Sequence, residues 1–281
     1  MLFDRPAASG FRALVLLVAT AISSAGIPAL AQEFSPSAQA MPDAPGLQTH
    51  DVPLEQQPHS TPTVANSPKH VTTDLTHIVV SPVYLRTRDL RWLVPLAGAS
   101  AAAFATDTHT MKDVVSHDPA FNNAAINVSN GLLGGFIAAP VAMFGVGTLG
   151  HKEHMREAGI IGGESMIDAY VIDEITKLCT FRERPLIDNA QGEFYIGKAG
   201  VNSSFVSGHS MLSWASAAAI SGEYHSKWVS LAAYSAATGV SATRVLGQEH
   251  FPTDVLIGAA GGWLIGHFVY RAHHHEDIEV R

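Results

Sequence analysis

The 281-residue chain has one cysteine, Cys179, so no intramolecular disulfide can form and packing and polar contacts must hold the fold. That cysteine reads as a small buried hydrophobe rather than as a nucleophile. Charge is sparse as well: charged residues make up 15% of the chain and the net charge is -8 with histidine neutral. No basic patch stands out, which excludes a nucleic-acid partner, since binding a phosphate backbone needs a basic face. Beyond Leu90 the short runs of alternating apolar and polar residues that build strands are missing too, which leaves an all-α domain. No internal repeat is found.

What the chain does have is organised in blocks. Residues 1–31 carry Arg5 and Arg12, an apolar run from Ala13 to Ile22, and Ala29-Leu30-Ala31 before Gln32. That order reads as a secretory signal peptide with its cleavage site, against the alternative of a retained anchor. It implies export to a periplasm or cell envelope. Residues 32–88 are expected to be a linker; from Gln32 to about Lys69 they are rich in Pro, Ser, Gln and Thr, with prolines at 36, 42, 45, 53, 58, 62 and 68. Such a segment buries too little apolar surface to offset the entropy of ordering it. The folded domain is expected over 89–271, followed by a polar, His-rich tail over 272–281.

Within the domain the apolar segments are rich in Ala, Gly and Leu and predict six helices, at 89–105, 130–149, 155–178, 209–223, 227–244 and 253–271. Asp89, Asn130 and Thr253 are candidate caps. The stretch from Gly131 to Leu149 is uncharged and as a helix would span roughly 28 Å, near the ~30 Å of bilayer hydrocarbon. The other helices are shorter or carry Glu164, Asp168, Asp173 and Glu174, and acidic groups at mid-membrane are expensive. The reading is a compact bundle packed through small residues and associated with a membrane surface, with a spanning domain as the alternative.

Three polar clusters interrupt this apolar background. TRVLGQEHFPTD places Arg244, His250 and Asp254 together, with Pro252 suited to starting a helix and His250 and Asp254 at i, i+4. A carboxylate there could hold one imidazole nitrogen and leave the other directed outward as nucleophile or base. A local capping link is the alternative. SSFVSGHS places Ser207, Gly208 and His209 at a helix start, where unpaired N–H groups favour anions. KLCTFRERP places Lys177 and Arg184 around a helix end, which basic residues also favour for its dipole alone.

In that order the clusters read Lys-x6-Arg-Pro, Ser-Gly-His and Arg-x5-His-x3-Asp, and the chain from about Leu90 to Tyr270 thereby resembles the type 2 phosphatidic acid phosphatase (PAP2) and vanadium haloperoxidase superfamily. The resemblance implies a six-helix bundle of the acid phosphatase/haloperoxidase type. It implies that Lys177, Arg184, Arg244, Ser207 and Gly208 bind phosphate and that His250 is the nucleophile forming a phosphohistidine. His209 would protonate the leaving oxygen, and Asp254 would orient and polarise His250. Val206 stands where proline normally precedes Ser-Gly-His, and Thr243 where serine normally precedes the arginine; neither departure removes a charge or a proton carrier. No metal-ligand spacing of His, Asp and Glu occurs within these motifs, so no metal and no other cofactor is expected for catalysis.

The expected activity is hydrolysis of a phosphomonoester or diphosphate, with a lipid phosphate favoured because apolar helices flank the motifs. A soluble substrate, vanadate-dependent halide oxidation and a non-catalytic envelope scaffold are the alternatives. Outside the motifs, His273 to His275 read as a solvated tail and His151 and His154 as surface. Glu164 and Asp168 are expected to pair with basic residues behind the site, and Asp173 with Lys177.

Overall fold

The computed structural model describes residues 63–80, 90–195 and 202–274. The expected signal peptide, residues 32–62 and 81–88 of the expected linker, Asp89 and residues 275–281 lie outside the described residues. Among those described there are seven α-helices and no strand: α1 (Ser67–Val80), α2 (Leu90–His109), α3 (Pro119–Leu149), α4 (Glu153–Thr180), α5 (Gly208–Tyr224), α6 (Lys227–Leu246) and α7 (Pro252–His273). A π-helical turn, Thr110–Val114, prolongs α2.

The six expected helices correspond to α2 to α7, and two boundaries differ for physical reasons. α3 starts at Pro119, not at 130, because the Asp118 carboxylate accepts the Ala120 N–H at 3.0 Å and Pro119 supplies a φ suited to the first turn. Asn130 is therefore inside α3 rather than a cap. The other difference is α1, which lies in the stretch expected to be linker. Its only proline, Pro68, sits in the first turn, where the missing N–H has no intrahelical role.

α5 and α7 touch backbone to backbone. A Cβ added at Gly262 would lie 2.1 Å from the Met211 carbonyl oxygen, and one at Gly266 the same distance from that of Ala215. Only glycine fits at such a crossing. Around this seam Ile161, Ala169, Val206, Met211, Ile265 and Val269 form the main core, and Phe136, Met166, Ala237 and Val240 form a second core among α3, α4 and α6. Val206 is thus core packing where the resemblance leads one to expect proline.

Many large apolar side chains lie on the surface. Val141 and Leu149 on α3 are 68% and 86% exposed, and Trp92, Phe104, Ile167, Trp228 and Leu231 also face outward. α3 and α7 are long and apolar enough to cross a membrane by length and composition.

Candidate active site

The end of α4, the start of α5, the end of α6 and the start of α7 converge on one region. α4 stops because Phe181 takes a left-handed conformation, φ 45°, with its N–H on the Lys177 carbonyl. Lys177 is left in the last turn. The chain beyond it is stitched to the approach to α5: the Arg182 N–H donates to Ser203 Oγ at 2.9 Å and the Ser204 N–H to the Arg182 carbonyl at 2.8 Å. The Ser207 N–H then donates to the Asp254 carbonyl at 3.1 Å, which joins α5 to α7.

His250 is 2% exposed, and its Nδ1 lies 2.8 Å from the Ser204 carbonyl oxygen. A carbonyl can only accept, so the proton sits on Nδ1 and the lone pair on Nε2. That is the tautomer a nitrogen nucleophile needs. The i, i+4 spacing predicts the Asp254 carboxylate in this role, yet its nearer oxygen is 3.8 Å from Nδ1. Asp254 is instead spent on Arg182 Nη1 at 2.5 Å, Ser204 Oγ at 2.5 Å and the Phe251 N–H at 2.8 Å. It therefore acts on His250 through the Ser204 backbone and the first turn of α7. Burial holds His250 below the ordinary histidine value, against the pull of Asp254.

The cationic groups lie around this histidine. Arg244 donates to Ser129 Oγ at 3.3 Å and, with Arg184, shares the carboxylate of Glu249; Arg244 Nη2 is 3.1 Å from Glu249 Oε2. Lys177 Nζ donates to Asp173 Oδ2 at 2.6 Å, the expected i, i+4 pair, and to Glu174 Oε1 at 3.3 Å. Gly208 is pressed against that pair: an added Cβ would meet Asp173 Oδ2 at 2.5 Å. Ser207 Oγ and Arg244 Nε are buried with no hydrogen-bond partner among the described residues. Buried polar atoms are rarely left so, and unsatisfied donors beside two arginines fit an anionic oxygen. The backbone N–H groups of the first turn of α5 add donors of the same kind.

His209 Nε2 lies 2.9 Å from Asn130 Oδ1, and its pKa is lowered to about 3 by burial first and then by Arg244, His250, Lys177 and Arg184. In the free protein this favours the neutral imidazole, whose Nε2–H is donated to the Asn130 amide oxygen and which is a poor acid. A bound dianion would reverse the sign of the local field and raise this pKa. In histidine-labelled protein, His209 is expected to stay neutral down to pH 5 without ligand. With saturating inorganic phosphate or tungstate its NMR titration midpoint should rise by at least about one unit. An unchanged midpoint would remove His209 from the role of acid. Burial likewise pushes the Asp173 carboxyl up to about 6, although Lys177 pulls the other way.

All eight residues singled out by the motifs, Lys177, Arg184, Ser207, Gly208, His209, Arg244, His250 and Asp254, lie on the segments that converge here. Sequence reasoning missed Arg182, Asp107, Ser204, Asn130 and Glu249. Arg182 is 1% exposed, with Nη2 2.7 Å from Asp107 Oδ2 and its guanidinium over the rings of Phe251 and Phe194 at 4.2 and 4.9 Å. Asp107 also accepts from the Thr253 N–H and hydroxyl, which ties α2 to the start of α7. Cys179 is half-buried, in agreement with a packing role. Residues 159–277 match the family model of the PAP2 superfamily. Comparison with curated proteins and with solved structures gives no match.

Proposed function

Because residues 159–277 belong to the PAP2 superfamily, we propose that the chain is an exported, membrane-associated phosphatase that hydrolyses a phosphomonoester or diphosphate, with a lipid phosphate as substrate. The observation that carries this reading is the tautomer of His250: a buried imidazole whose Nδ1–H donates to the Ser204 carbonyl, which leaves the Nε2 lone pair free near Arg184 and Arg244.

The chemistry follows from these groups. Lys177, Arg184, Arg244, Ser207 and the first N–H groups of α5 hold the phosphoryl oxygens and neutralise charge as it develops. His250 Nε2 attacks phosphorus in line; the P–N bond forms as the bond to the leaving oxygen breaks. His209, charged once the dianion is bound, gives its proton to that oxygen. Water then attacks the phosphohistidine, passing a proton back to His209, and the N–P pair returns to His250. Glu249 competes with the substrate for both arginines.

Two features support a lipid as the substrate. An apolar groove of about 720 Å³, lined by Trp92, Leu96, Trp214, Leu256, Trp263 and Leu264, runs along α7 from Leu256, two residues after Asp254, and offers an apolar surface to a lipid chain. The exposed apolar side chains of α2 and α3 fit a membrane surface. Purified protein in detergent is expected to release phosphate from a dispersed long-chain lipid phosphate at least about tenfold faster, by kcat/KM, than from p-nitrophenyl phosphate. Leu256→Asp should reduce only the lipid rate. Equal rates would leave a soluble-substrate phosphatase, halide oxidation after vanadate loading a haloperoxidase, and no phosphate release a scaffold.

A further inference from the structure

Far from the motifs, α1, α4 and α7 bury a second polar cluster. His70 and Asp74 lie one turn apart on α1, Glu164 and Asp168 one turn apart on α4, and His273 closes the group from the end of α7. Asp74, Glu164 and Asp168 are 5%, 2% and 0% exposed. Two sequence expectations change here: the partners of Glu164 are histidines, and the His273 side chain is buried rather than solvated. No Lys or Arg reaches the acids among the described contacts, and the His273 side chain is 6% exposed, against Glu164. His274 likewise reaches the buried Glu223.

The donor geometry is that of a cation site. His273 Nε2 lies 2.8 Å from Glu164 Oε2 and 3.1 Å from His70 Nδ1, which is 3.8 Å from Glu164 Oε1. Four-coordinate zinc with ligands at ~2.0–2.1 Å sets its donors about 3.3 Å apart, inside this spread. His273 Nδ1 donates to the Val269 carbonyl at 3.0 Å, the outer contact that aims the Nε2 lone pair inward. Three buried carboxylates stand against two imidazoles, and both oxygens of Asp168 are buried with no hydrogen-bond partner among the described residues. A fully buried carboxylate left in that state calls for a compensating positive charge.

We propose that His70, Glu164 and His273, with Asp74 or Asp168 as the fourth donor, form a structural site for a divalent cation of the zinc type that clamps α1 and α7 to α4. Thirteen residues of α4 separate Glu164 from Lys177, about 20 Å along the helix. The cation therefore sets stability and the docking of α1, and takes no part in phosphoryl transfer.

The test uses the untagged full chain, stripped with a chelator and titrated with zinc or cobalt(II). About one equivalent is expected to bind at micromolar free zinc, cobalt(II) should give the visible bands of a four-coordinate site, and zinc should raise the thermal midpoint by several degrees. His70→Ala, His273→Ala and Glu164→Gln should each weaken binding by about tenfold or more, while His274→Ala should not. Turnover at 25 °C should change less than about twofold on zinc removal. Wild-type protein, folded by circular dichroism, that binds no stoichiometric zinc or cobalt at about 100 μM would overturn the site and leave an ion pair between His273 and Glu164. Binding retained in the His70→Ala/His273→Ala double variant, or turnover lost on zinc removal from folded protein, would overturn it equally.

Discussion

His250→Ala is expected to lower kcat for phosphate release by about 10⁴-fold or more, because it removes the atom that forms the bond to phosphorus. His209→Ala should lose less, about 10²- to 10⁴-fold, the usual contribution of a positioned acid. The difference between the two separates nucleophile from proton donor. Only the His209 variant, still able to be phosphorylated, should accumulate an acid-labile phosphohistidine when quenched during turnover. The fold should survive the His250 change: it leaves the Ser204 carbonyl without its partner at a cost of about 1–3 kcal/mol, while the helices around it keep their packing. Helical circular dichroism should be unchanged. A His250→Ala protein with kcat within tenfold of wild type would end the phosphohistidine mechanism.

How much of this was legible in the sequence varies with the distance over which the signal acts. The all-α class was readable because the apolar segments beyond Leu90 are long, rich in Ala, Gly and Leu, and lack alternation. The motif residues were readable only because three clusters, each ambiguous alone, occur together in the order of the superfamily they resemble; the i, i+4 rule adds the pair of Asp173 and Lys177, at 2.6 Å. The same local rule places Asp254 beside His250, 3.8 Å from Nδ1, but its hydrogen bonds go elsewhere. Its neighbour His250 is one turn away, but Arg182, 72 positions earlier in the chain, competes for the carboxylate and wins through charge, burial and a guanidinium that bridges Asp254 and Asp107, which no local pattern encodes. Asn130 was hidden for a related reason. The polar run before Gly131 looked like a helix start, yet its Oδ1 is needed inside α3 to face His209, 79 residues away. The cluster of His70, Glu164 and His273 spans 203 positions; His70 fell in the expected linker and His273 in the expected tail. Long-range pairing of buried charge is where a single sequence is silent.

The second large effect is expected at Arg182. Its guanidinium carries Asp107 on one nitrogen and Asp254 on another, donates from Nε to the Gly192 carbonyl at 3.3 Å, and lies under three aromatic rings. Arg182→Met keeps much of the volume and removes the charge, leaving two buried carboxylates without compensation. Breaking a buried pair from one side typically costs 3–5 kcal/mol, so a loss of about that size is expected in urea unfolding. Activity should fall as well, since Asp254 holds the Ser204 hydroxyl and the Phe251 N–H, and the Ser204 carbonyl sets the His250 tautomer. Adding Asp107→Asn to Arg182→Met should recover part of the stability, because one of the uncompensated charges goes with it, but none of the activity, because Asp254 is still unanchored. Asp107→Asn alone should cost less than Arg182→Met. A double variant whose stability loss is the plain sum of the two single losses would show that the pair is not coupled. Arg182 would then be only a packing residue, and the orientation of His250 would rest on Ser204 and the α7 turn alone.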